Sequence, residues 1–138
     1  MRWWSYQQAV DSDRVRVNIY VVYYEPIEGV RLAHSLGLQK GLIGVVNAFA
    51  SVDNAKQNNI VIAHELLHTV GATDKYSVET GQPIFPVGFA KPDLKYNQVK
   101  AEIMAGKIPR SEDQSEMPYS LRYCTVGEQT AVEIGWIK

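Results

Sequence analysis

The amino-acid sequence predicts an α+β domain with a twisted mixed sheet, a buried central helix and a C-terminal helix. Two segments, residues 14–24 and 41–51, are rich in β-branched and aromatic residues, which is typical of strands. A strongly apolar segment with helical features follows them at 55–70. Strands that precede helices, rather than alternate with them, favour the α+β class. A chain of 138 residues can bury one core, so we expect a single domain over residues 1–138.

The first predicted strand, RVRVNIYVVYY at 14–24, alternates apolar and polar side chains in its first half. We expect it to be half-buried at first and more fully buried later. Pro26 and Gly29 end it. The second predicted strand, GLIGVVNAFAS at 41–51, could also be a buried helix, but its glycines and its paired valines favour a strand.

The central helix is predicted to begin after Asn54, which forms a capping-box pattern with Gln57, and to run from Ala55 to about Val70. Gly71 ends it. The second half of this helix is apolar nearly all round, so we expect the helix to lie inside the domain.

The rest of the chain is predicted to be irregular except at its C-terminal end. Residues 77–97 contain several glycines and prolines and few periodic apolar positions, which indicates a long loop. Thr125 and Glu128 form a second capping-box pattern, and a helix should follow it through about Ile134. We expect Trp3, Trp4 and Trp136 to lie in the core or at an interface.

Residues 64–68 read HELLH, a pattern that carries a specific chemistry on a helix. Two histidines four residues apart lie on one helix face, so His64 and His68 can bind one zinc ion while Glu65 projects beside them. Gly71 lets the chain leave the helix with a positive φ and turn back under the metal. The next side chain able to reach the zinc is then Asp74.

The segment HELLHTVGATDKY at 64–76 resembles the extended H-E-x-x-H-x-x-G-x-x-H motif of the metzincin zinc peptidases. Its closest similarity is to the snapalysin-type branch, in which aspartate takes the last position and x-Tyr follows. The resemblance implies a metzincin-like zincin fold, Zn²⁺ held by His64, His68 and Asp74, and peptide-bond hydrolysis with Glu65 as general base. Tyr76 would either orient Asp74 or pack beside it.

Outside this segment the resemblance is looser, and the start of the family fold is short or missing in this chain. Metzincins have a methionine turn beneath the metal, and we assign it to Met104 in EIMAG at 102–106, with Met117 in SEMPY at 115–119 as the alternative. If the methionine turn contains Met117, Tyr119 would lie near the substrate. The resemblance also assigns the predicted strand 41–51 to the sheet edge above the cleft.

Two alternatives concern the ligands of the metal. Glu102 is a rival to Asp74, because other zinc peptidases take a glutamate from a later helix and residues 96–105 could be helical. In that case Asp74 would hydrogen-bond a histidine instead. His34 is expected to line the cleft rather than bind the metal, since two histidines and one carboxylate already complete a catalytic site with an open position.

The charge and composition exclude several classes of partner. The net charge of −1, with lysines and arginines scattered along the chain, argues against nucleic acid. No apolar run is long enough to cross a bilayer, and no signal peptide is recognisable at the start. We expect a monomer that acts on a peptide or protein substrate, and the family resemblance favours a secreted or cell-envelope location. The aromatic start leaves two alternatives open, a chain without an export signal and a domain trimmed from a longer precursor whose signal or anchor has been removed. The alternative to an enzyme is a non-catalytic domain in which bound zinc serves a structural or adaptor role.

Overall fold

The computed structural model describes residues 16–138, so Trp3, Trp4 and the first two residues of the predicted strand 14–24 lie outside the described part. Its elements in chain order are β1 (Asn18–Tyr24), β2 (Leu36–Leu38), β3 (Ile43–Phe49), α1 (Ala55–Thr69), β4 (Ala101–Glu102), β5 (Ile108–Pro109), β6 (Ser115–Glu116), β7 (Cys124–Thr125) and α2 (Glu128–Glu133). Helices combined with a mixed sheet confirm the α+β class. None of the helices in residues 16–138 has the length and apolar character needed to cross a membrane.

The main sheet has three strands in the order β1-β3-β2. β1 runs parallel to β3, with Val21 opposite Val46, and β2 runs antiparallel to β3, with Gly37 opposite Gly44. The prediction that residues 41–51 form the edge strand is therefore wrong, because β3 lies between the other two. β2 has three residues, too few for alternation to reveal a strand in the sequence.

Burial along β1 follows the predicted alternation but not the predicted trend. Ile19 and Val21 are partly buried, whereas Tyr23 and Tyr24 are 60% and 44% exposed. The end of the strand is thus more exposed than its start, contrary to expectation. Tyrosine carries a polar hydroxyl that favours a wet environment, and the Tyr24 hydroxyl donates a hydrogen bond to Asn47 Oδ1 at 3.3 Å.

Helix α1 begins and ends within one residue of the predicted bounds. Asn54 occupies the N-cap position, but its side chain makes no capping hydrogen bond, so the capping-box prediction is wrong in its contacts. Ile60, Glu65 and Thr69 are buried, whereas Leu66 is 39% exposed. The helix is therefore covered on one side rather than enclosed. The apolar composition of the helix alone could not distinguish the side chains that are buried from those that stay exposed.

The core joins α1 to the C-terminal half of the chain. Its central cluster consists of Ile60 from α1, Ala72 after the helix, and Ile103 and Met104 in the turn that follows β4. Residues 77–97 contain turns, isolated bridges and a short 3₁₀ turn, which confirms the predicted irregular loop. Trp136 is 67% exposed and so does not lie in the core, while the alternative of an interface residue stays a prediction.

The last helix, α2, begins later than the sequence predicted. Its N-cap is Gly127 rather than Thr125, which pairs with Glu102 in the short parallel ladder of β4 and β7. The backbone N–H of Gly127 donates a hydrogen bond to the Glu102 carboxylate, a long-range partner that the sequence could not reveal. The capping box at Thr125 is therefore a wrong prediction.

Candidate metal centre

Three side-chain atoms meet at the C-terminal half of α1. Nε2 of His64 lies 3.0 Å from Nε2 of His68, and Oδ1 of Asp74 lies 3.1 Å from the first nitrogen and 3.2 Å from the second. In residues 16–138 these three residues form a group that can hold a metal ion. The i, i+4 spacing on α1 accounts for the two histidines, since it puts both rings on one helix face.

The triangle of donor atoms has the dimensions of a zinc site. Zinc bound at tetrahedral angles, at about 2.0–2.2 Å from histidine nitrogen and carboxylate oxygen, needs neighbouring donor atoms about 3.3 Å apart. The three separations of 3.0–3.2 Å are close to this value. Among residues 16–138 the group has three members, so a tetrahedral ion held by it would keep a fourth position without a protein ligand.

Backbone carbonyl groups fix the orientation of both histidine rings. Nδ1 of His64 lies 3.0 Å from the carbonyl oxygen of Ile103, and Nδ1 of His68 lies 2.8 Å from that of Ala72. A carbonyl oxygen can only accept, so each Nδ1 must carry the hydrogen and donate it. Each Nε2 in the neutral ring then keeps its lone pair directed at the centre of the triangle.

The path of the chain after α1 brings Asp74 to the histidines. Gly71 has φ +110°, and its N–H donates to the His68 carbonyl while the N–H of Ala72 donates to the Leu67 carbonyl. This pair of bonds is a Schellman motif, which reverses the chain immediately after the helix. The predicted role of the glycine at position 71 is therefore confirmed, and the reversal places Asp74 over the face that carries His64 and His68.

The electrostatics of the metal-free group favour a charged carboxylate. Burial opposes ionisation of Asp74, but in the metal-free group hydrogen bonds from the Nε2–H groups that His64 and His68 carry when their rings are protonated outweigh it and hold the Asp74 pKa well below its ordinary value. Burial alone would lower the pKa of His68, but the hydrogen bonds to Asp74 and to the Ala72 carbonyl raise it. With both Nε2 protons removed, an ionised Asp74 and two imidazole nitrogens form a donor set that could hold a divalent cation.

Glu65 lies beside the three donor atoms and is 7% exposed. Burial raises its pKa, while the neighbouring histidines and a hydrogen bond from the Gly37 N–H partly oppose the increase. The contact with Gly37 ties Glu65 to strand β2, which passes directly over α1. A partly buried carboxylate with a raised pKa is suited to accept and return a proton.

The group lines a cavity of about 460 Å³ between α1 and the segment that leads into β2. One wall consists of residues 32–37, including His34, which agrees with the prediction that this histidine lines the cleft. Tyr76 lies on the cavity wall, with its ring centroid 6.4 Å from that of His64. Burial and the nearby charge of Asp74 raise the Tyr76 pKa.

Glu102 is fully buried and is not part of the group formed by His64, His68 and Asp74. One of its carboxylate oxygens accepts hydrogen bonds from the N–H groups of Met104 and Ala105. The other accepts from the Gly127 N–H and the Thr130 hydroxyl. The structure thus does not support Glu102 as the third ligand, and residues 96–105 form a strand and a turn instead of the helix that this alternative needs.

The two methionine candidates have different environments. Met104 is fully buried in the turn after β4, next to the Ile103 carbonyl that holds His64, and its own carbonyl accepts a hydrogen bond from the Lys75 N–H. Met117 is 41% exposed. The turn beneath the histidines therefore contains Met104, and the Tyr119 hydroxyl accepts a hydrogen bond from Lys56 instead of reaching the three donor atoms.

Two residues near the site were missed in the sequence. Gly37 lets β2 approach α1 closely. The sequence shows there only a glycine between two leucines, a pattern that is common in proteins and does not by itself indicate a close contact. Glu133 contacts both neighbours of Asp74 from a helix 59 positions further along the chain. No local pattern reveals such a contact.

Comparison of the chain with models of protein families, with curated proteins and with solved structures finds no significant match.

Proposed function

We propose that this protein is a zinc-dependent metallopeptidase that hydrolyses internal peptide bonds. The observation that carries the proposal is the joint placement of three donor atoms at zinc-like separations and a buried carboxylate, Glu65, in one open cleft. The HELLHTVGATDKY motif and its similarity to snapalysin-type metzincins support the same conclusion. The metzincin-like fold, the methionine-turn role of Met104 and a secreted or cell-envelope location are parts of this proposal.

His64, His68 and Asp74 would hold the zinc, with the Nδ1 contacts to Ile103 and Ala72 keeping both imidazoles oriented. When bound, zinc acts as a Lewis acid that makes a water molecule more acidic and polarises a substrate carbonyl.

Glu65 is the residue that moves the proton. Its carboxylate accepts a proton from the attacking water and later returns it to the leaving amine. The Gly37 N–H holds the Glu65 carboxylate at the cleft wall, and burial keeps its pKa above the ordinary value for glutamate, so the acid form is available for the second transfer.

Strand β2 supplies the surface along which a substrate can lie. Leu36 and Gly37 line the cleft beside Glu65, and β2 pairs with β3 on one side only within residues 16–138. An extended peptide can add to such an edge through backbone hydrogen bonds that do not depend on its sequence. This arrangement leaves room for chain on both sides of the scissile bond, as an endopeptidase requires.

A purely structural zinc site would differ from this proposal in the number of protein ligands. A structural site usually closes with four protein ligands, whereas the group in residues 16–138 has three members and Asp74 is 37% exposed at the cleft. Glu65 has no role in a closed site. We therefore favour the catalytic function.

The test compares wild-type protein with Glu65→Gln, which removes the base and keeps the shape of the side chain. Both proteins should bind one zinc ion per chain, measured by atomic emission after dialysis. Cleavage of a quenched-fluorescence peptide library should fall by a factor of about 10²–10⁴ in the variant, as expected for loss of a general base.

Glu128→Gln is the matched control, because Glu128 is exposed on α2 and the same chemical change there should leave cleavage at the wild-type rate. Zinc in both proteins with cleavage in neither would favour the structural site. Equal cleavage by wild type and Glu65→Gln would remove Glu65 from the mechanism.

A further inference from the structure

Asp74 lies between two residues that are bound to the C-terminal helix. The Thr73 backbone N–H donates to Glu133 Oε2 at 2.8 Å, and the Thr73 hydroxyl donates to Glu133 Oε1 at 3.0 Å. On the other side of Asp74, the Lys75 ammonium donates to Glu133 Oε2 at 2.8 Å. One carboxylate on α2 therefore holds both neighbours of the third metal-binding side chain.

The ammonium group of Lys75 completes a closed hydrogen-bond network. Besides Glu133, it donates to the Thr73 carbonyl and hydroxyl oxygens, each at 2.7 Å. All three ammonium hydrogens thus have partners. The Lys75 side chain is 3% exposed and that of Glu133 is 18% exposed, so water competes little for these contacts.

The backbone of Lys75 is held as well. Its N–H donates to the Met104 carbonyl at 3.0 Å, and its carbonyl accepts from the Ile84 N–H at 2.8 Å. The chain on both sides of Asp74 is therefore fixed to α2, to the turn beneath the histidines and to the long loop. The Asp74 side chain itself is 37% exposed, and its Oδ1 atom lies 3.1 Å and 3.2 Å from the Nε2 atoms of His64 and His68.

We propose that Glu133 is a positioning residue of the metal centre, which acts through Thr73 and Lys75 to hold the Asp74 carboxylate at the distance from His64 and His68 that zinc requires. The inference rests on the proposed metal centre, but it does not depend on peptide cleavage. It assigns to α2 a role that sequence position alone does not indicate, since α2 contributes no donor atom to the group.

The test measures zinc affinity by competition with a chromophoric chelator, and the absorption spectrum of the Co²⁺-substituted protein. Glu133→Ala should weaken zinc binding about 10–100-fold, the range seen when a group that supports a metal ligand is removed. Its Co²⁺ spectrum should also change, because a displaced Asp74 alters the coordination. Lys75→Met should weaken binding in the same direction.

Glu128→Gln is the control on the same helix and should bind zinc like the wild type. A double-mutant cycle distinguishes positioning from general destabilisation. If Glu133 acts through Asp74, then Glu133→Ala should not weaken zinc binding further in an Asp74→Ala background. All measurements are made at a temperature where circular dichroism shows each variant folded.

Wild-type affinity and an unchanged Co²⁺ spectrum in folded Glu133→Ala would overturn the inference. So would equal losses from Glu133→Ala in the wild-type and Asp74→Ala backgrounds, because the effect would then not pass through Asp74. Since the readouts are metal affinity and a spectrum, a protein that binds zinc but cleaves no peptide would contradict the peptidase proposal and still support the positioning role.

Discussion

Gly37 is the residue at which strand β2 and helix α1 approach most closely. A Cβ atom at this position would overlap the Glu65 carbonyl oxygen and would lie 2.6 Å from the Cβ of His68. Both neighbours belong to the candidate metal centre, and neither backbone can shift without moving the helix. The lack of a side chain at residue 37 therefore determines how closely strand β2, which forms the cleft wall, can approach helix α1.

Gly37→Ala should lower the free energy of unfolding by at least about 1–3 kcal/mol, the usual cost of extra volume at a packed contact, and should also impair zinc binding. The measurements are urea unfolding and chelator competition. Gly41→Ala is the matched control, since a Cβ there meets Ile43 Cδ1 at 3.4 Å, an ordinary contact. Equal, small effects of the two substitutions would show that β2 does not press on α1.

At the residue scale, the sequence predicted what depends on local spacing. His64, Glu65 and His68 follow from helical geometry, and the exit at Gly71 toward Asp74 follows from the freedom of glycine to adopt positive φ. Gly37 and Glu133 could not be found in this way. Their roles depend on contacts with residues 28 or more positions away in the chain.

The C-terminal helix α2 is short, with six residues, and its attachment depends on charged contacts as well as on packing. Thr130 and Ala131 are buried, while Glu133 reaches Lys75 and Thr73. Six residues form a marginal helix in isolation. We therefore expect the stability of this element to depend on the ionisation of Glu133.

Burial would raise the pKa of Glu133, but hydrogen bonds from Lys75, Thr73 and Gln129 outweigh burial and lower it from the ordinary value of 4.5 to about 2. In the unfolded chain the carboxyl is protonated below its ordinary pKa. The stabilisation is therefore complete above pH 4.5 and is lost as the pH falls toward 2.

Urea unfolding of metal-free wild type and Glu133→Gln checks this pH dependence. The wild type should be the more stable protein at neutral pH, and the difference between the two should shrink steadily between pH 4.5 and pH 2. Other carboxylates titrate in both proteins and cancel in the comparison. A difference that stays constant over this range would mean that Glu133 does not stabilise the fold as an anion.

At the element scale, long and strongly patterned segments were predictable and short ones were not. The bounds of α1 and β3 were close to those predicted, because each has enough residues to show a pattern. The three-residue β2 and the two-residue strands β4 to β7 were missed. Both capping-box predictions failed in their contacts, since Asn54 makes no cap bond and Gly127 takes the N-cap of α2.

Over the whole molecule, the N-terminal part supplies the main sheet and the helix that carries His64 and His68, and the C-terminal part supports the candidate metal centre from below. β2 and β3 pack on α1, while Glu102 and Glu133 connect α2 to the turn under His64 and to the segment that carries Asp74. The α+β class was predictable from the order of the segments, but the position of β3 within the sheet was not, because strand order depends on long-range pairing.

If the proposed function is correct, the peptidase activity of this protein depends on zinc bound by His64, His68 and Asp74. The direct measurement is a titration of chelator-stripped wild-type protein with zinc, with cleavage of the quenched-fluorescence peptide library followed at each step. Cleavage should be absent without metal, rise in proportion to bound zinc and reach its maximum at one zinc per chain. Full loading with one zinc and no cleavage, or cleavage that persists after the metal is removed, would contradict the claim.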